Sequence, residues 1–277
     1  MSCYHWLASY PKSGNTWLRL ALASLSKGGQ NLDFRSSELF APIACDRAAM
    51  DEVADVDSAA LTLAEEEAAR PAFFRLEAAW LGKPQLRKVH HAWTRTAAGE
   101  PLFPPDVTAS AVYVIRDPRD VAISLAHHHG SSIDAAIAFM DDPAAMLAGG
   151  SGYGSPQLRQ RLLTWSDHAR SWLASPIQPL LVRFEDMLDT PANSLERVAR
   201  HLRWNPSASA IAGAVEATRF DALQAQEERH GFRERTRAEV PFFRRGLAGG
   251  WRDSLTPAQR QRIEASHGEA MAMFGYL

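Results

Sequence analysis

The sequence predicts an α/β fold: a single domain with a central parallel sheet flanked by helices. Three observations predict it. Short apolar runs that read as strands (residues 5–10, the stretch ending at 88–90, 111–115 and 180–184) are separated by segments of helical spacing. The run Ala111-Val-Tyr-Val-Ile115 is apolar without interruption, as expected of a strand buried on both faces. The chain has 277 residues, 46% hydrophobic and 22% charged, enough to bury one large core in an ordinary soluble protein.

The elements follow in order. Residues 5–10 form a strand that runs into Pro11-Lys12-Ser13-Gly14. Trp17, Leu18, Ala21, Leu22 and Leu25 then recur at helical spacing, and Lys27-Gly28-Gly29 stops that helix. Residues 30–86 are rich in Ala, Glu and Asp and read as helices with loops, before Lys88-Val89-His90 ends a second strand. After the third strand, Asp117 is placed to cap a helix, with Pro118 at its first position and Asp120 at its third. Residues 141–156 hold Gly149, Gly150, Gly152, Gly154 and two prolines, which predicts a flexible loop of the lid kind, with a helix near 157–174. A fourth strand covers 180–184. Thr190-Pro191 caps a helix whose Leu195, Val198 and Leu202 share one face, and Thr256-Pro257-Ala258-Gln259 is a capping box for a terminal helix carrying Ile263, Met271 and Phe274.

Composition narrows the function. A formal net charge of −2 supplies no bulk field for nucleic acid, so any anion site must be built from a few local Lys and Arg residues. The two cysteines, Cys3 and Cys45, permit neither a disulfide framework nor a paired zinc pattern, which fits a reducing cytoplasm. The apolar stretch at residues 6–10 is too short for an export signal or a bilayer span, so no membrane partner is expected.

Two segments carry chemistry. In Tyr10-Pro-Lys-Ser-Gly-Asn-Thr-Trp17 a strand enters a Gly-containing turn before a helix, whose unpaired N–H groups make an anion cradle. Lys12 adds charge, and Ser13 and Thr16 add hydroxyl donors. The first glycine of the GxxxxGK[ST] pattern is missing, which weakens an ATP or GTP reading. The plain alternative is a strand–helix turn with a surface lysine. In Val112-Tyr-Val-Ile-Arg-Asp-Pro-Arg-Asp-Val-Ala-Ile-Ser124, Arg116 stands at a strand end, where open α/β sheets bind ligands. Ser124 follows about two turns into the helix, so guanidinium and hydroxyl could share one phosphate. The alternative is that Arg116 and Arg119 pair structurally with Asp117 and Asp120.

Together these segments resemble the PAPS-dependent sulfotransferases, which use 3′-phosphoadenosine-5′-phosphosulfate as donor; the likeness suggests a soluble, bacterial-type member. Residues 10–17 are similar to the family's P-loop-like 5′-phosphosulfate loop and residues 112–124 to its 3′-phosphate segment. Arg244-Arg-Gly-Leu-Ala-Gly-Gly-Trp-Arg-Asp-Ser-Leu-Thr256 resembles the C-terminal RKGxxGDWKNxFT stretch, Lys88-Val89-His90 the Lys-Thr-His of the catalytic base, and Val182-Arg-Phe-Glu-Asp-Met187 the Tyr-Glu-Asp strand end. The matches stand in the family's order. Phe184 replaces the usual tyrosine, Gly250 the usual Asp and Asp253 the usual Asn, and the KxxxTVxxxE dimer motif is not evident.

The resemblance implies roles. Lys12 would hold the phosphosulfate and steady the leaving oxygen, with Ser13, Gly14, Asn15 and Thr16 on the 5′-phosphate and Trp17 near the adenine. Arg116, Ser124, Arg244, Arg245 and Gly246 would hold the 3′-phosphate, with Phe184, Thr218 and Phe220 completing the nucleotide contacts. His90 would accept the proton of the acceptor hydroxyl, and Lys88 and Ser124 would join Lys12 in the catalytic set. His91 competes as base, but the Lys-x-His register selects His90 and strand alternation would turn His91 away. No metal is required by analogy with the family. His127-His128-His129 point in different directions on a helix and read as a helix end near the acceptor pocket. Trp93, Trp165 and Trp172 read as packing residues.

The implied activity is sulfuryl transfer to a small-molecule hydroxyl or phenol with release of the desulfated nucleotide, PAP. Residues 30–86 and 130–156 would vary with the acceptor. A carbohydrate acceptor, a P-loop kinase and a silent nucleotide-binding protein are the rival readings. The family's Golgi members carry a membrane anchor, and none is expected here. Oligomeric state is not legible.

Overall fold

The computed structural model describes residues 3–36, 41–150, 153–235 and 240–277. Strand β1 (Tyr4–Ser9) is buried at all six positions, as its uninterrupted run requires. It leads through the Pro11–Gly14 turn into α1 (Asn15–Ser26), which ends at Lys27 before two glycines. Helices α2 (Arg47–Ala54) and α3 (Leu63–Leu81) fill the segment read as helices with loops, and Thr62 and Glu65 close α3 with a capping box. Strand β2 (Gln85–Val89) then lies parallel to β1, Tyr4 opposite Gln85 and Ala8 opposite Val89. Such pairing needs a long crossover, which α1 to α3 provide. Residues 42–44 pair along the other edge of β2, where Ile43 bridges Lys88.

Strand β3 (Thr108–Ile115) is longer than the apolar run alone suggests. Asp117 caps α4 (Pro118–His129) by accepting from the Arg119 N–H, with Pro118 first, and Gly130 ends it. Next come α5 (Ile133–Asp141), the short antiparallel pair β4 (Met146–Leu147) and β5 (Gln160–Arg161), and α6 (Trp165–Leu173). Strand β6 (Leu180–Arg183) is followed by α7 (Phe184–Asp189), α8 (Pro191–His201), α9 (Ala208–Ala217), α10 (Phe220–His230), α11 (Trp251–Ser254) and α12 (Pro257–Met273). Among the described residues the central sheet has the order β2-β1-β3-β6. It is the parallel, helix-flanked sheet of an α/β protein.

Several expectations shift. The helix expected near 157–174 begins only at 165, capped by Thr164, because residues 157–162 are drawn into extended pairing and their side chains into α3. The segment read as a lid loop holds β4, and α5 lies just before it; Ser151 and Gly152 fall outside the described residues. Phe184 opens α7 rather than closing β6. Thr190 makes no side-chain cap, since its hydroxyl donates back to the Asp186 carbonyl at 3.1 Å where α7 runs into α8. The capping box at Thr256 and Gln259 is present, and Ile263, Met271 and Phe274 are buried.

The chain forms two compact units, each discontinuous in sequence, with β3 and β6 each beginning in the first and ending in the second. The first (Met1–Tyr10, Pro42–Tyr113, Phe139–Leu181) is built on aromatic packing. Tyr4 and Trp6, two residues apart on one strand face, stack at 4.5 Å, and Trp6 meets Phe74 and Phe103 at 5.0 and 5.2 Å. The second (Pro11–Ala41, Val114–Ala138, Val182–Leu277) buries Leu195 and Val198 of α8 and gathers Leu20, Leu32, Leu223, Phe232 and Phe243 into a cluster.

A buried ionic knot ties the first unit together. Glu66 is fully buried and faces Arg70 at 2.6 Å, Arg159 at 3.0 Å and Arg47 at 3.6 Å. Removing the one carboxylate leaves three guanidinium groups without their counter-charge. Glu66→Gln is expected to cost about 3–5 kcal/mol, the range for breaking a buried pair from one side, read as a lower urea midpoint at unchanged slope.

Candidate active site

The turn after β1 is built for an anion. Gly14 caps α1 with φ +100 and offers no side chain to the helix N–H groups, and the first turn holds no acidic residue. A Cβ at Gly14 would stand 2.4 Å from Cδ2 of Phe184, so only glycine fits. Lys12 adopts φ +68, a conformation rare for a side-chain-bearing residue and costing on the order of 1–3 kcal/mol where structure enforces it. Its ammonium donates toward His128 Nδ1 at 3.5 Å and sits 4.4 Å above the Phe242 ring. The Ser13 hydroxyl is buried with no hydrogen-bond partner. An orphaned donor beside an uncapped helix start fits a phosphate oxygen.

Thr16 and Asn15 are already engaged. Thr16 donates its hydroxyl to Glu234 at 2.9 Å and accepts from Arg19 at 3.1 Å, while Asn15 accepts from Arg19 Nε at 3.0 Å. Thr16 has one hydroxyl hydrogen, so a phosphate there competes with the Glu234 carboxylate. Trp17 donates its indole N–H to the Thr218 carbonyl at 2.9 Å. The Thr218 hydroxyl is buried and bonded to the Ala214 carbonyl at 2.7 Å, so Thr218 meets its neighbours as a fixed helix end. Phe220 packs against Gly246, whose φ of +59 and lack of Cβ allow the contact.

The second anion place is a group of cations. Arg116 holds the loop by donating to the Lys12 carbonyl at 3.3 Å and to the Leu247 carbonyl at 3.0 Å, and its guanidinium lies 4.4 Å from the Phe184 ring centre. Its Nε is buried and without a partner, and Arg116 forms no ion pair among the described residues. Arg119 is the opposite case: it grips Asp117 at 2.8 Å and Glu264 at 2.8 Å. Asp120 accepts the Gly249 and Trp251 N–H groups at 2.7 and 2.9 Å. The structural-pair reading therefore holds for Arg119, whereas Arg116 lies within the fields of Asp120, Glu185 and Asp117 without a direct ion pair to any of them. Burial lowers the Arg244 pKa, and the nearness of Arg245 and Arg116 lowers it further; burial and then Arg244 and Arg245 do the same to His127. Lys12, Ser124, His127, His128, Arg235 and Arg244 line one cavity. These basic side chains around one cavity fit an anionic ligand.

The candidate base, His90, lies in the first unit. The ladder register brings the carbonyl of Ser9 beside the residue after Val89, and His90 Nδ1 donates to that carbonyl at 2.9 Å, with Ser9 Oγ at 3.3 Å. A carbonyl only accepts, so Nδ1 carries the hydrogen and the lone pair is on Nε2. His91 is buried, donates Nδ1–H to the Ala92 carbonyl at 2.7 Å and has Nε2 3.7 Å from Glu67; burial lowers its pKa. Both histidines lie beyond the last ladder residue, so a bend in the chain separates them rather than strand alternation. Lys88 is half-buried and close enough to Cys45 to act on that thiol, which burial pushes up to about 12.

The histidine run ends α4 as expected: His127 faces Arg244 and Arg245, and His128 faces Lys12. Trp165 and Trp172 are fully buried, while Trp93 is half-buried. Glu234, Arg235 and Phe242 went unread. They reach the site from an irregular segment with no periodic signal; only the two phenylalanines before Arg244 mark it.

A family model described as "Sulfotransferase domain" matches residues 4–275, and the chain belongs to the sulfotransferase family. Cytosolic sulfotransferase 17 of Arabidopsis thaliana is 27% identical over 192 residues, covering 64% of this chain and 54% of the relative. The chain thus spans about half the length of that relative, and 52% of cytosolic sulfotransferase 16 of the same plant. Sulfotransferase 1A1 of Canis lupus familiaris is 23% identical over 276 residues, 96% of this chain and 82% of the relative. Among solved structures, mouse sulfotransferase SULT7A1 complexed with PAP superposes with a TM-score of 0.60 at 18% identity, covering 97% of this chain and 84% of that one. Retinol dehydratase in complex with androsterone and PAP gives 0.57 at 20% identity, covering 97% and 80%. These likenesses show the shared fold.

Gly14→Ala forces a left-handed alanine, at roughly 1–2 kcal/mol, and a clash with Phe184. Calorimetric titration with PAP is expected to show binding weakened by about tenfold or more, the equivalent of roughly 1.4 kcal/mol. Unaltered affinity would remove this loop from the site.

Proposed function

We propose that this protein is a PAPS-dependent sulfotransferase that moves a sulfuryl group to the hydroxyl of a small alcohol or phenol and releases PAP. The observation that carries the reading is the pairing of two anion places in one unit: the uncapped start of α1 with its orphaned Ser13 hydroxyl, and the Arg116, Arg244 and Arg245 group, in which the Arg116 Nε is buried without a partner. A nucleotide with phosphate at both the 5′ and 3′ positions answers both. Solved neighbours with PAP bound support the same donor.

PAPS supplies the activated sulfuryl group. Ser13, Gly14, Asn15 and Thr16 bind the 5′-phosphate, and Lys12 offsets charge on the bridging oxygen, a kind of electrostatic contact worth about 2.7–4 kcal/mol in the barrier. Arg116, Ser124, Arg244, Arg245 and Gly246 hold the 3′-phosphate. Trp17, Thr218, Phe220 and Phe184 shape the remaining nucleotide surface, Phe184 by packing beneath Gly14 and Arg116. His90 takes the acceptor proton at Nε2, and Lys88 steadies sulfuryl oxygens. The whole chain, 1–277, acts as one sulfotransferase domain, with residues about 30–86 and 130–156 forming the acceptor-binding parts. No metal takes part.

We place the protein in the cytoplasm, a reading supported by the names of its relatives and by the lack, among the described residues, of a helix long and apolar enough to cross a membrane. The bacterial character rests on the sequence resemblance; the relatives named above are plant and mammalian. Neither anion place needs a nucleic-acid partner.

Affinity for PAP should exceed that for AMP, which lacks the 3′-phosphate, by about tenfold or more, since a charge-assisted bond contributes roughly 1.5–3 kcal/mol. Arg116→Ala should shrink that preference. Equal affinity of the unmutated protein for PAP and AMP overturns the function.

The second test concerns the base. His90→Ala should lower the turnover of PAPS by roughly 10²–10⁴ while PAP binding stays near wild type. Loss of activity in His91→Ala with activity kept in His90→Ala would move the assignment to the other histidine.

A further inference from the structure

Helix α6 presents His168, Ser171 and Trp172 at positions i, i+3 and i+4, hence on one face. Each bonds the main chain that carries His90. His168 Nε2 meets the His90 carbonyl at 2.9 Å, and the Trp172 indole N–H donates to the His91 carbonyl at 3.0 Å. Ser171 Oγ accepts the Trp93 N–H at 3.0 Å while donating to the His168 carbonyl at 2.8 Å.

The hydrogens in this group can be assigned in only one way. The His90 carbonyl accepts, so His168 carries its hydrogen on Nε2 and a lone pair on Nδ1. Tyr113 OH, 2.8 Å from Nδ1, must donate to it. The Tyr113 oxygen in turn takes the backbone N–H of Tyr10, the residue at which β1 passes into the anion turn. The chain of donors therefore runs from the Tyr10 amide through Tyr113 and His168 to the His90 carbonyl. His168 is fully buried, with the Tyr10 ring edge-on at 5.4 Å. Burial pushes its pKa down to about 3 and raises those of Tyr113 and Tyr10, so each group stays in its neutral form. Packing alone would be served by an apolar side chain, without the cost of burying a ring with two polar nitrogens.

We propose that His168 is a positioning residue for His90: it fixes the peptide carbonyl of His90 on one side while Ser9 holds the imidazole on the other, so that Nε2 keeps one orientation and one tautomer. This rests on the reading of His90 as the base. His168 acts through His90 and touches no reacting atom.

The test uses the full chain with ring nitrogens labelled, so that histidine tautomers are read by nitrogen–proton correlation without need of the natural acceptor. In the unmutated protein His90 should show the hydrogen on Nδ1 and His168 on Nε2. His168→Leu should convert His90 to mixed tautomers and shift its titration midpoint. His168→Gln, whose amide offers a donor and an acceptor about as far apart as the ring nitrogens, should restore both. With PAPS and 4-nitrophenol as probe substrates, kcat should fall about tenfold or more in the leucine variant, with KM for PAPS unchanged. PAP binding reports that each variant is folded. If His168→Leu does not fold, Tyr113→Phe, which deletes one oxygen, is read by the same spectra. An unchanged His90 tautomer and midpoint in either folded variant overturns the proposal. Should His90→Ala retain full turnover, the base assignment fails instead, and the spectra still report separately whether His168 sets the His90 ring.

Discussion

The register of β1 against β2 is the constraint on which the rest depends. With Ala8 opposite Val89, the next residues on the two strands are Ser9 and His90, and the Ser9 carbonyl becomes the partner that orients the imidazole. A slip by one residue would turn every side chain of β1 to the other face. The stacked Tyr4 and Trp6, with Trp6 packed on Phe74 and Phe103, resist that slip because it would break these ring contacts. The same strand then leads by chain continuity into the anion turn. One buried ladder therefore sets the surroundings of His90 and ends where the chain enters the turn at Pro11.

Arginine is used in two ways, and pairing separates them. Arg47, Arg70 and Arg159 converge on Glu66, Arg119 binds Asp117 and Glu264, and Arg19 binds Glu234. Arg116, Arg244 and Arg245 instead lie near one another, and Arg116 spends its Nη groups on backbone carbonyls. Burial and then the nearness of Arg245 and Arg116 lower the Arg244 pKa, and a bound anion would relieve that repulsion. Local rules of pairing are broken where a ligand is meant to complete them. Glu234 adds a further element: its carboxylate holds the Thr16 hydroxyl that a phosphate would use, so nucleotide binding and the placement of the chain around residue 234 are linked through one hydrogen.

The His90 segment is held by neutral groups. Tyr113 and His168 are buried, uncharged and aligned toward the His90 carbonyl. The face of α6 that carries His168, Ser171 and Trp172 is an ordinary helical face, and its spacing matches the His90 and His91 carbonyls and the Trp93 N–H.

The sequence alone determined the strand–turn–helix at residues 4–26, the capped start of α4 and the capping box of α12. Each of these depends on neighbours a few residues apart: an apolar run, a glycine at positive φ, an Asp or Thr beside a helix start. The tertiary structure decided what no local pattern carries. Arg116 and Arg119 read alike in sequence, yet the carboxylate and carbonyl that finish the Arg119 shell, Glu264 and Tyr276, come from more than a hundred residues away. His90 and His91 are likewise neighbours, and the carbonyl of Ser9 and the buried carboxylate of Glu67 give them different surroundings. The place of the Phe184 ring, beneath Gly14 and Arg116, is likewise set by residues far from it in sequence. The position of α6 shows the same limit, since the pull of Glu66 on Arg159 keeps the preceding residues extended. Hydrogen bonds and charges act over a few ångströms in space, and only the folded chain says which distant residues come within that reach.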